Sequence, residues 1–325
     1  MGALPADRVT QTRPFSKVGL DYCGPMYIKE RRHRNQRKIK IYVAIFICLT
    51  TKAVHIELVS DLTTEAFIAA LKRFIARRGR CRTIYCDNAT NFKGARYEYI
   101  EITNLLKSPN YRERTAHFLA DEGIEWHQIP PRTPHFGGLW EAAVRSFKHH
   151  MKRVVGETLF TYEDLNTYVI EIEAILNSRP LTPISTDPND TMALTPGHCL
   201  IGDTLRSLPE RDLTTTPSNR LSSWLHIQKL KQHFWTRWYK EYLNHLIVRQ
   251  KWHTPGAKIE KDTLVILKED NQPPLHWPLG RVIELHPGDD GVVRVATVKT
   301  ATGLYRRCVK KLAPLYPEEE PPEGL

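Results

Sequence analysis

Long apolar runs, paired cysteine motifs and secretion signals are all lacking from this sequence. The apolar stretch Ile39–Leu49 is too short for a membrane span and begins among lysines. The first residues, Met1 to Pro5, lack the charged-then-apolar pattern of a signal peptide. The six cysteines include no Cys-x-x-Cys pair, which argues against a zinc site and a disulfide framework. These absences favour an intracellular protein with reduced, structural cysteines.

Positive charge is what the sequence has in excess. Its 325 residues include 47 Lys and Arg against 36 Asp and Glu, for a formal net charge of +11. A polyanionic partner is therefore favoured, nucleic acid first and an acidic membrane surface second. Hydrophobic residues make up 41%, enough for a sizeable core in two domains or in one domain with an appendage.

The first half of the chain has the pattern of an α/β fold. A strand over Phe15–Tyr22, ended by Gly24-Pro25, and two more over Ile39–Thr50 and Ala53–Val59 predict a three-stranded meander. A helix starting near Asp61 and capped by Gly79 leads to a strand over Thr83–Asp87, which implies a parallel crossover. The remaining predicted elements are two helical pieces within 97–122, a strand over Ile124–Ile129, a basic helix over Glu141–Val155 and a helix from the capping box at Thr161 to Asn177.

In the second half of the chain, a segment of linker-like composition is followed by a helical pattern and then by a pattern of short strands. Residues 178–218, rich in Pro, Thr and Asp, have the composition of a linker. Helical spacing over Leu221–Val248 carries many aromatics, which favours a packed core over a nucleotide-stacking platform. Short strands follow from Ala257 and predict a small β-barrel. The predicted domains are a lead-in (1–12), an α/β core (13–180), a linker (181–218), a helical connector (219–254), a small β-barrel (255–316) and an acidic disordered tail (317–325).

Three carboxylates fall where a metal site needs them. Asp21 lies within the first strand, Asp87 ends a neighbouring strand, and Glu141 stands in the first turn of the basic helix. Oxygen ligands without nearby His or Cys suit Mg²⁺ or Mn²⁺, and a pair of such ions can promote phosphoryl transfer. Taken singly, each acid is more often a surface or cap residue than a ligand. The ordered set of two strands and a helix favours the metal site.

Two groups of cations accompany these acids. On the basic helix, Arg145, Lys148 and Lys152 share one stripe with Glu141, either as a solvated face or as contacts to DNA phosphates. A charge run over Lys29–Lys38 is either a solvated hairpin tip or a DNA contact and nuclear address.

Three sequence blocks resemble the signature motifs of retroelement integrase cores. They are Gly19–Pro25, Ile84–Phe92 and Pro134–Glu141, in wording most similar to the Bel/Pao group of long-terminal-repeat retrotransposons. Asn177–Leu181, Leu194–Gly202 and Phe234–Trp238 resemble that group too, as does the closing barrel, and the resemblance covers roughly residues 4–316.

The resemblance implies a ribonuclease H-like core, a five-stranded mixed sheet with flanking helices. A helical linker and a small all-β barrel of the Src-homology-3 type would follow. Asp21, Asp87 and Glu141 would be the catalytic triad, holding two Mg²⁺ or Mn²⁺ ions per active site. The implied activity is trimming of the 3′ ends of element DNA and their transfer into target DNA, by a homo-oligomer in the nucleus without a small-molecule substrate. The expected DNA contacts are Arg31, Arg32, Arg34, Asn88, Asn91, His135, Arg145, Lys148 and Lys152.

Two departures from the family pattern leave alternatives open. The interval of 53 residues between Asp87 and Glu141 exceeds the retroviral one, and the family's upstream His/His/Cys/Cys zinc module is missing. The chain is therefore expected to bind no zinc. It is either a working enzyme or an integrase-derived DNA-binding protein or fragment whose metal site is idle. A cellular nuclease or transposase of the same fold is a third, less favoured alternative.

Overall fold

The computed structural model describes residues 10–30, 37–86, 108–128, 146–156, 158–247 and 259–316. Its internal contacts divide the chain into two compact units. The first comprises Met1–Leu176 with Ser222–Ile227, and the second comprises Asn177–Leu221 with Gln228–Leu325. Among the helices of the described ranges, none has the length and apolar character needed to cross a membrane.

A mixed five-stranded sheet forms the centre of the first unit. Its strands are β1 (Lys17–Lys29), β2 (Lys38–Cys48), β3 (Val54–Val59), β4 (Thr83–Cys86) and β5 (Glu125–Gln128), in the order β3-β2-β1-β4-β5. The first three strands pair antiparallel, whereas β4 pairs parallel with both β1 and β5. The parallel crossover predicted from the strand–helix–strand pattern is confirmed.

β1 is longer than the sequence pattern predicts. The expected stop at Gly24-Pro25 is wrong, because pairing with β2 resumes at Met26 and continues to Lys29. The register shifts between Cys23 and Met26, so an irregularity in the strand accommodates the proline, which has no N–H for the ladder. Gly24 itself adopts a φ of 136°, which glycine tolerates best.

The helices of the first unit begin and end largely where local signals predict. They are α1 (Thr64–Arg78), α2 (Pro109–Asp121), α3 (146–155) and α4 (Tyr162–Asn177). The Thr63 hydroxyl accepts from the Ala66 N–H at 3.2 Å and caps α1. At the other end Gly79 takes a φ of 81°. The helical piece predicted before Ser108 lies outside the described residues.

A buried polar network joins β3, α1 and α4. His55 and Glu57 of β3 are almost fully buried, and His55 Nε2 lies 2.9 Å from Glu57 Oε1. Arg73 of α1 donates to Glu57 at 2.8 Å. From α4, Glu173 accepts from the Ile56 N–H at 2.8 Å and pairs with Arg78. The network thereby satisfies buried charges next to an edge strand of the sheet.

The second unit contains an antiparallel five-stranded sheet. Its strands are β8 (Leu264–Leu267), β9 (Leu279–Pro287), β10 (Val293–Thr300), β11 (Gly303–Cys308) and β12 (Leu312–Leu315), in the order β11-β10-β9-β8-β12. Val265, Val282, Val298 and Leu312 are fully buried at its core. The other elements are β6 (Thr182–Pro183), β7 (Ala193–Leu194), α5 (Pro196–Ile201) and α6 (Ser223–Leu246), which belongs to this unit from Gln228 onward.

Residues 181–218, predicted to be a linker, are tied into this second unit by hydrogen bonds. The Arg281 guanidinium donates to the carbonyls of Asp190 and Ser185 at 2.6 and 2.7 Å. The Leu213 N–H donates to the side chain of Gln232 at 2.8 Å. A proline- and threonine-rich composition therefore does not exclude a packed segment.

The aromatics of α6 form part of the core of this unit. Trp235, Trp238 and Tyr239 are buried, and Trp277 packs edge-on against Trp235 with ring centroids 5.0 Å apart. The prediction of core packing is confirmed for these residues. Buried rings cannot offer faces to nucleotide bases.

Candidate active site

Asp21 lies within β1 and presents its carboxylate from a half-buried position. Oδ1 accepts the backbone N–H of Tyr22 at 2.7 Å, and Oδ2 accepts the ammonium of Lys148 at 2.9 Å. The side chain of Asp21 is 28% exposed and that of Lys148 is 21% exposed. The pair is therefore partly shielded from water, which strengthens a charge-assisted hydrogen bond.

The partner strand β4 ends beside Asp21. Leu20 of β1 pairs in parallel with Cys86, the last residue of β4. Asp87 follows Cys86 in the sequence and lies outside the described residues. The carboxyl ends of strands in α/β sheets are where ligand sites form.

α3 brings Lys148 to the sheet. Phe147 and Met151 of this helix are buried, whereas Lys152 is exposed. The buried residues hold the helix against the core and leave the Lys148 side chain able to reach β1. Glu141 precedes the described part of the helix by five residues.

Burial controls the electrostatics on either side of Asp21. Desolvation raises the pKa of the Cys23 thiol to about 12, with Lys148 lowering it and Asp21 raising it by smaller amounts. Desolvation also raises the pKa of Tyr22, whose ring lies in the core. These two neighbours are therefore held neutral at physiological pH, beside the ion pair of Asp21 and Lys148.

Of the residues predicted from sequence to form the site, the structure describes three. It brings Asp21 and Lys148 together and leaves Lys152 on the surface. In the part of the chain that is described, no group of three His, Cys, Asp or Glu side chains could hold a metal ion. The other predicted site residues lie outside it: Arg31, Arg32, Arg34, Asp87, Asn88, Asn91, His135, Glu141 and Arg145.

Sequence reasoning missed a cavity lined by arginines at the other end of the same strands. Arg13, Arg80 and Arg82 line it together with polar side chains. The run Arg77-Arg78-Gly79-Arg80-Cys81-Arg82 was an available signal, because a basic run between a helix and a strand concentrates charge at one sheet edge.

Comparison with protein families gives two matches. Residues 11–134, which include Asp21 and Asp87, match the family described as Integrase core domain. Residues 222–315 match a family of unknown function, DUF5641. No curated protein matches the chain.

Solved structures of retroviral integrases are similar at low identity. The simian T-cell lymphotropic virus intasome, in complex with PP2A regulatory subunit B56 gamma, shows 12% identity and a TM-score of 0.39 over 98% of this chain and 85% of that one. The magnesium-bound HTLV-2 integrase catalytic core domain in its trimeric form shows 14% identity and a TM-score of 0.35, over 58% and 97%. Its dimeric form shows 16% identity and a TM-score of 0.32, over 51% and 88%.

The first unit has the ribonuclease H-like fold of an integrase core. The mixed sheet, its strand order and the family match over residues 11–134 confirm this prediction. The five antiparallel strands of the second unit fit the predicted small barrel.

Proposed function

We propose that this protein is an integrase of the Bel/Pao retrotransposon type. It would process the 3′ ends of retroelement DNA and join them to target DNA by phosphoryl transfer. The observation that carries the proposal is the contact between Lys148 Nζ and Asp21 Oδ2, at the point where parallel β4 ends beside β1. This contact joins the first sequence block, within the residues that match the integrase core family, to the basic helix α3.

Asp87 and Glu141 complete the proposed catalytic triad. Since Leu20 pairs with Cys86, one further residue of parallel pairing would set Asp87 beside Asp21. Glu141 precedes Lys148 by seven residues, which is two turns on the same face of a continuous helix. A helix face that delivers Lys148 to Asp21 is therefore suited to deliver Glu141 as well.

The donor chemistry fits a hard divalent cation. Asp21 offers carboxylate oxygens, and its Oδ2 already holds a cationic group at 2.9 Å. In the proposed site Asp21, Asp87 and Glu141 would hold two Mg²⁺ or Mn²⁺ ions. Such ions, when bound, activate a water or hydroxyl and stabilise the leaving oxygen of an in-line displacement.

The chain's own residues bind and position the DNA. Lys148 neutralises Asp21 before DNA enters and can then donate to a phosphate oxygen of the element end. Lys152, one turn further along α3, faces solvent and would contact a flanking phosphate. We assign further DNA contacts to the barrel, assembly to a homo-oligomer that holds two DNA ends, and action to the nucleus.

Strand transfer by the purified full chain tests the proposal. The substrates are a short duplex with an element end and a plasmid target, incubated with Mg²⁺, with Mn²⁺ or with EDTA. Joined products are expected with either metal and none with EDTA. Asp87→Asn and Glu141→Gln should each abolish the products while DNA affinity stays within about twofold, because phosphoryl transfer depends on the metal site more than binding does.

Asp121→Asn is the matched control, since it makes the same chemical change at an exposed position on α2. It should leave product yield unchanged. DNA binding without metal-dependent products would contradict the enzyme and favour the alternative, an integrase-derived DNA-binding protein with an idle metal site. The same assay with an upstream zinc module added would then be informative. Recovered products would mean that the module is required, and continued absence of products would mean that the metal site is idle.

A further inference from the structure

A concave cavity of about 310 Å³ lies at the amino-terminal ends of β1 and β4. Ser16 and Arg82, which line it, immediately precede these two strands. The cavity falls at the lower end of the size range of small-ligand pockets, about 300–1,000 Å³. Its complete lining is Gln11, Thr12, Arg13, Ser16, Arg80 and Arg82.

The three arginines bring a concentrated positive charge to this cavity. Within the described ranges of the chain, no carboxylate lies within ion-pair distance of Arg13, Arg80 or Arg82. Burial raises the pKa of the neighbouring Cys81 thiol to about 11, and Arg13 and Arg80 both act to lower it. Among the described residues, three guanidinium groups therefore share this cavity without a carboxylate partner.

Arg13 is held in place by the backbone rather than by an acid. Its Nη1 donates to the Arg78 carbonyl at 2.7 Å, and its Nη2 donates to the Arg80 carbonyl. Gly79 makes room for it, because a Cβ at this position would lie 2.6 Å from Arg13 Nη1. The guanidinium is thus positioned by the end of α1 while its charge remains available to a ligand.

We propose that this cavity binds a phosphate group. Arginine forks match the geometry of phosphate oxygens, and the hydroxyls of Thr12 and Ser16 and the amide of Gln11 offer further hydrogen bonds. The group would come either from the DNA backbone or from free inorganic phosphate. Both sources present the same oxygens to the arginines.

This phosphate cannot be the one that reacts at Asp21. Arg82 precedes Cys86 by four residues of extended chain, so their backbones lie about 13 Å apart. The cavity is therefore a second site, which goes beyond the proposed function and does not depend on it.

The test compares the double variant Arg80→Gln/Arg82→Gln with Arg220→Gln/Lys261→Gln, which removes the same charge from exposed positions outside the cavity. Calorimetry of the full chain with inorganic phosphate should show binding to the wild type and the control. We expect the affinity for phosphate to fall at least about tenfold in the cavity variant, because the guanidinium groups of Arg80 and Arg82 are both removed. Arg13 is left intact because it holds the end of α1.

A second measurement separates the two sources. DNA affinity is followed by fluorescence anisotropy as salt increases. If the backbone is the source, the slope of log affinity against log salt should fall by about 1 in the cavity variant, relative to the control. If the cavity variant loses phosphate binding but has the same salt slope for DNA binding as the control, the site binds free phosphate.

The proposal is overturned if phosphate binds the cavity variant as well as it binds the wild type. It is equally overturned if phosphate does not bind the wild type and the two variants show the same salt slope. Thermal melting verifies folding, and Arg82→Gln alone replaces the double variant if that one unfolds. Asp87→Asn should keep phosphate binding, so a failed strand-transfer assay leaves this test unaffected.

Discussion

Lys148 shows how one residue can link two distant segments of a chain. It lies 127 positions after Asp21, yet its ammonium occupies an oxygen of that carboxylate. The spacing of charges along α3 predicts a basic face, and only the packing of Phe147 and Met151 decides where that face points. A cation or a phosphate that binds at Asp21 would therefore also meet the ammonium group of Lys148.

Lys148→Ala should lower strand transfer by about tenfold or more, an increase of about 1.4 kcal/mol or more in the barrier. The reason is that both the partner of Asp21 and a phosphate contact are lost. Lys148→Arg, which keeps the charge, should recover part of the rate. Arg153→Ala serves as the matched control, because it removes an exposed cation from the same helix at a position with no assigned DNA contact. Equal effects of the two alanine variants would refute a special role for Lys148.

His55 is expected to make the stability of the core depend on pH. Burial alone would lower its pKa, but hydrogen bonds to Glu173 and Glu57 outweigh burial and raise it, against a smaller opposing effect of Arg78. Arg78 Nε and a Glu173 oxygen approach the same ring nitrogen at 3.2 and 3.4 Å. With two carboxylates against one guanidinium, the protonated ring is favoured.

Because the folded pKa of His55 lies above its ordinary value of about 6.5, the stabilisation is complete below that pH and is lost as pH rises through the folded pKa. Urea denaturation at roughly pH 6 and pH 8 should show a larger loss of stability in the wild type than in His55→Gln. A wild type and a variant with identical pH dependence would mean that His55 does not titrate in this window.

At the scale of elements, the polar network fixes β3 between α1 and α4. Glu57 is 3% exposed and accepts from His55, Arg73 and Arg77. Hydrogen bonds from these cations hold its pKa below the ordinary value despite the opposing effect of burial. At His55 and Glu57, hydrogen bonds and ion pairs rather than apolar contacts attach the edge strand β3 to the two helices.

Glu57→Gln should destabilise the first unit by about 3 kcal/mol, because it removes the buried carboxylate that His55, Arg73 and Arg77 share. Glu65→Gln is the control, since the Glu65–Arg114 pair lies on the surface and should contribute nothing measurable. The free energy of unfolding from urea titration gives both values. A cost for Glu57→Gln no larger than that of the control would show that the network adds no stability.

Local signals made most of the helices and strands predictable. Gly79 ends α1 as expected, and the N-cap Thr63 lies two residues after the predicted start at Asp61, because caps depend on a few adjacent residues. The continuation of β1 past Gly24-Pro25 depends on pairing with β2, which no local pattern records. The same limit applies to the site, where Asp21 was predicted from its motif, but its contact with Lys148 comes from tertiary packing.

The whole molecule is a polycation, with a net charge of +11. Charge of this size predicts DNA binding that is largely independent of sequence and strongly weakened by salt. The effect of this charge is measurable on the intact chain.

If the chain contacts six or more phosphates, its DNA affinity should fall by about 10³-fold or more between about 50 and 200 mM salt. The reason is the release of counterions from each neutralised phosphate. Anisotropy titrations with two unrelated duplexes of equal length should give the same slope. An affinity that is insensitive to salt would exclude a backbone-dominated interface.

β1 and β4 join the two ends of the sheet through a parallel hydrogen-bonded ladder from Lys17↔Thr83 to Leu20↔Cys86. A ladder of this kind cannot stretch or slip without breaking several backbone hydrogen bonds at once. The backbone distance between Arg82, which lines the cavity, and Cys86, which pairs with Leu20 next to Asp21, is therefore held at about 13 Å. A DNA duplex that binds both at Asp21 and at the arginine cavity must therefore present two phosphates at a separation that β1 and β4 set.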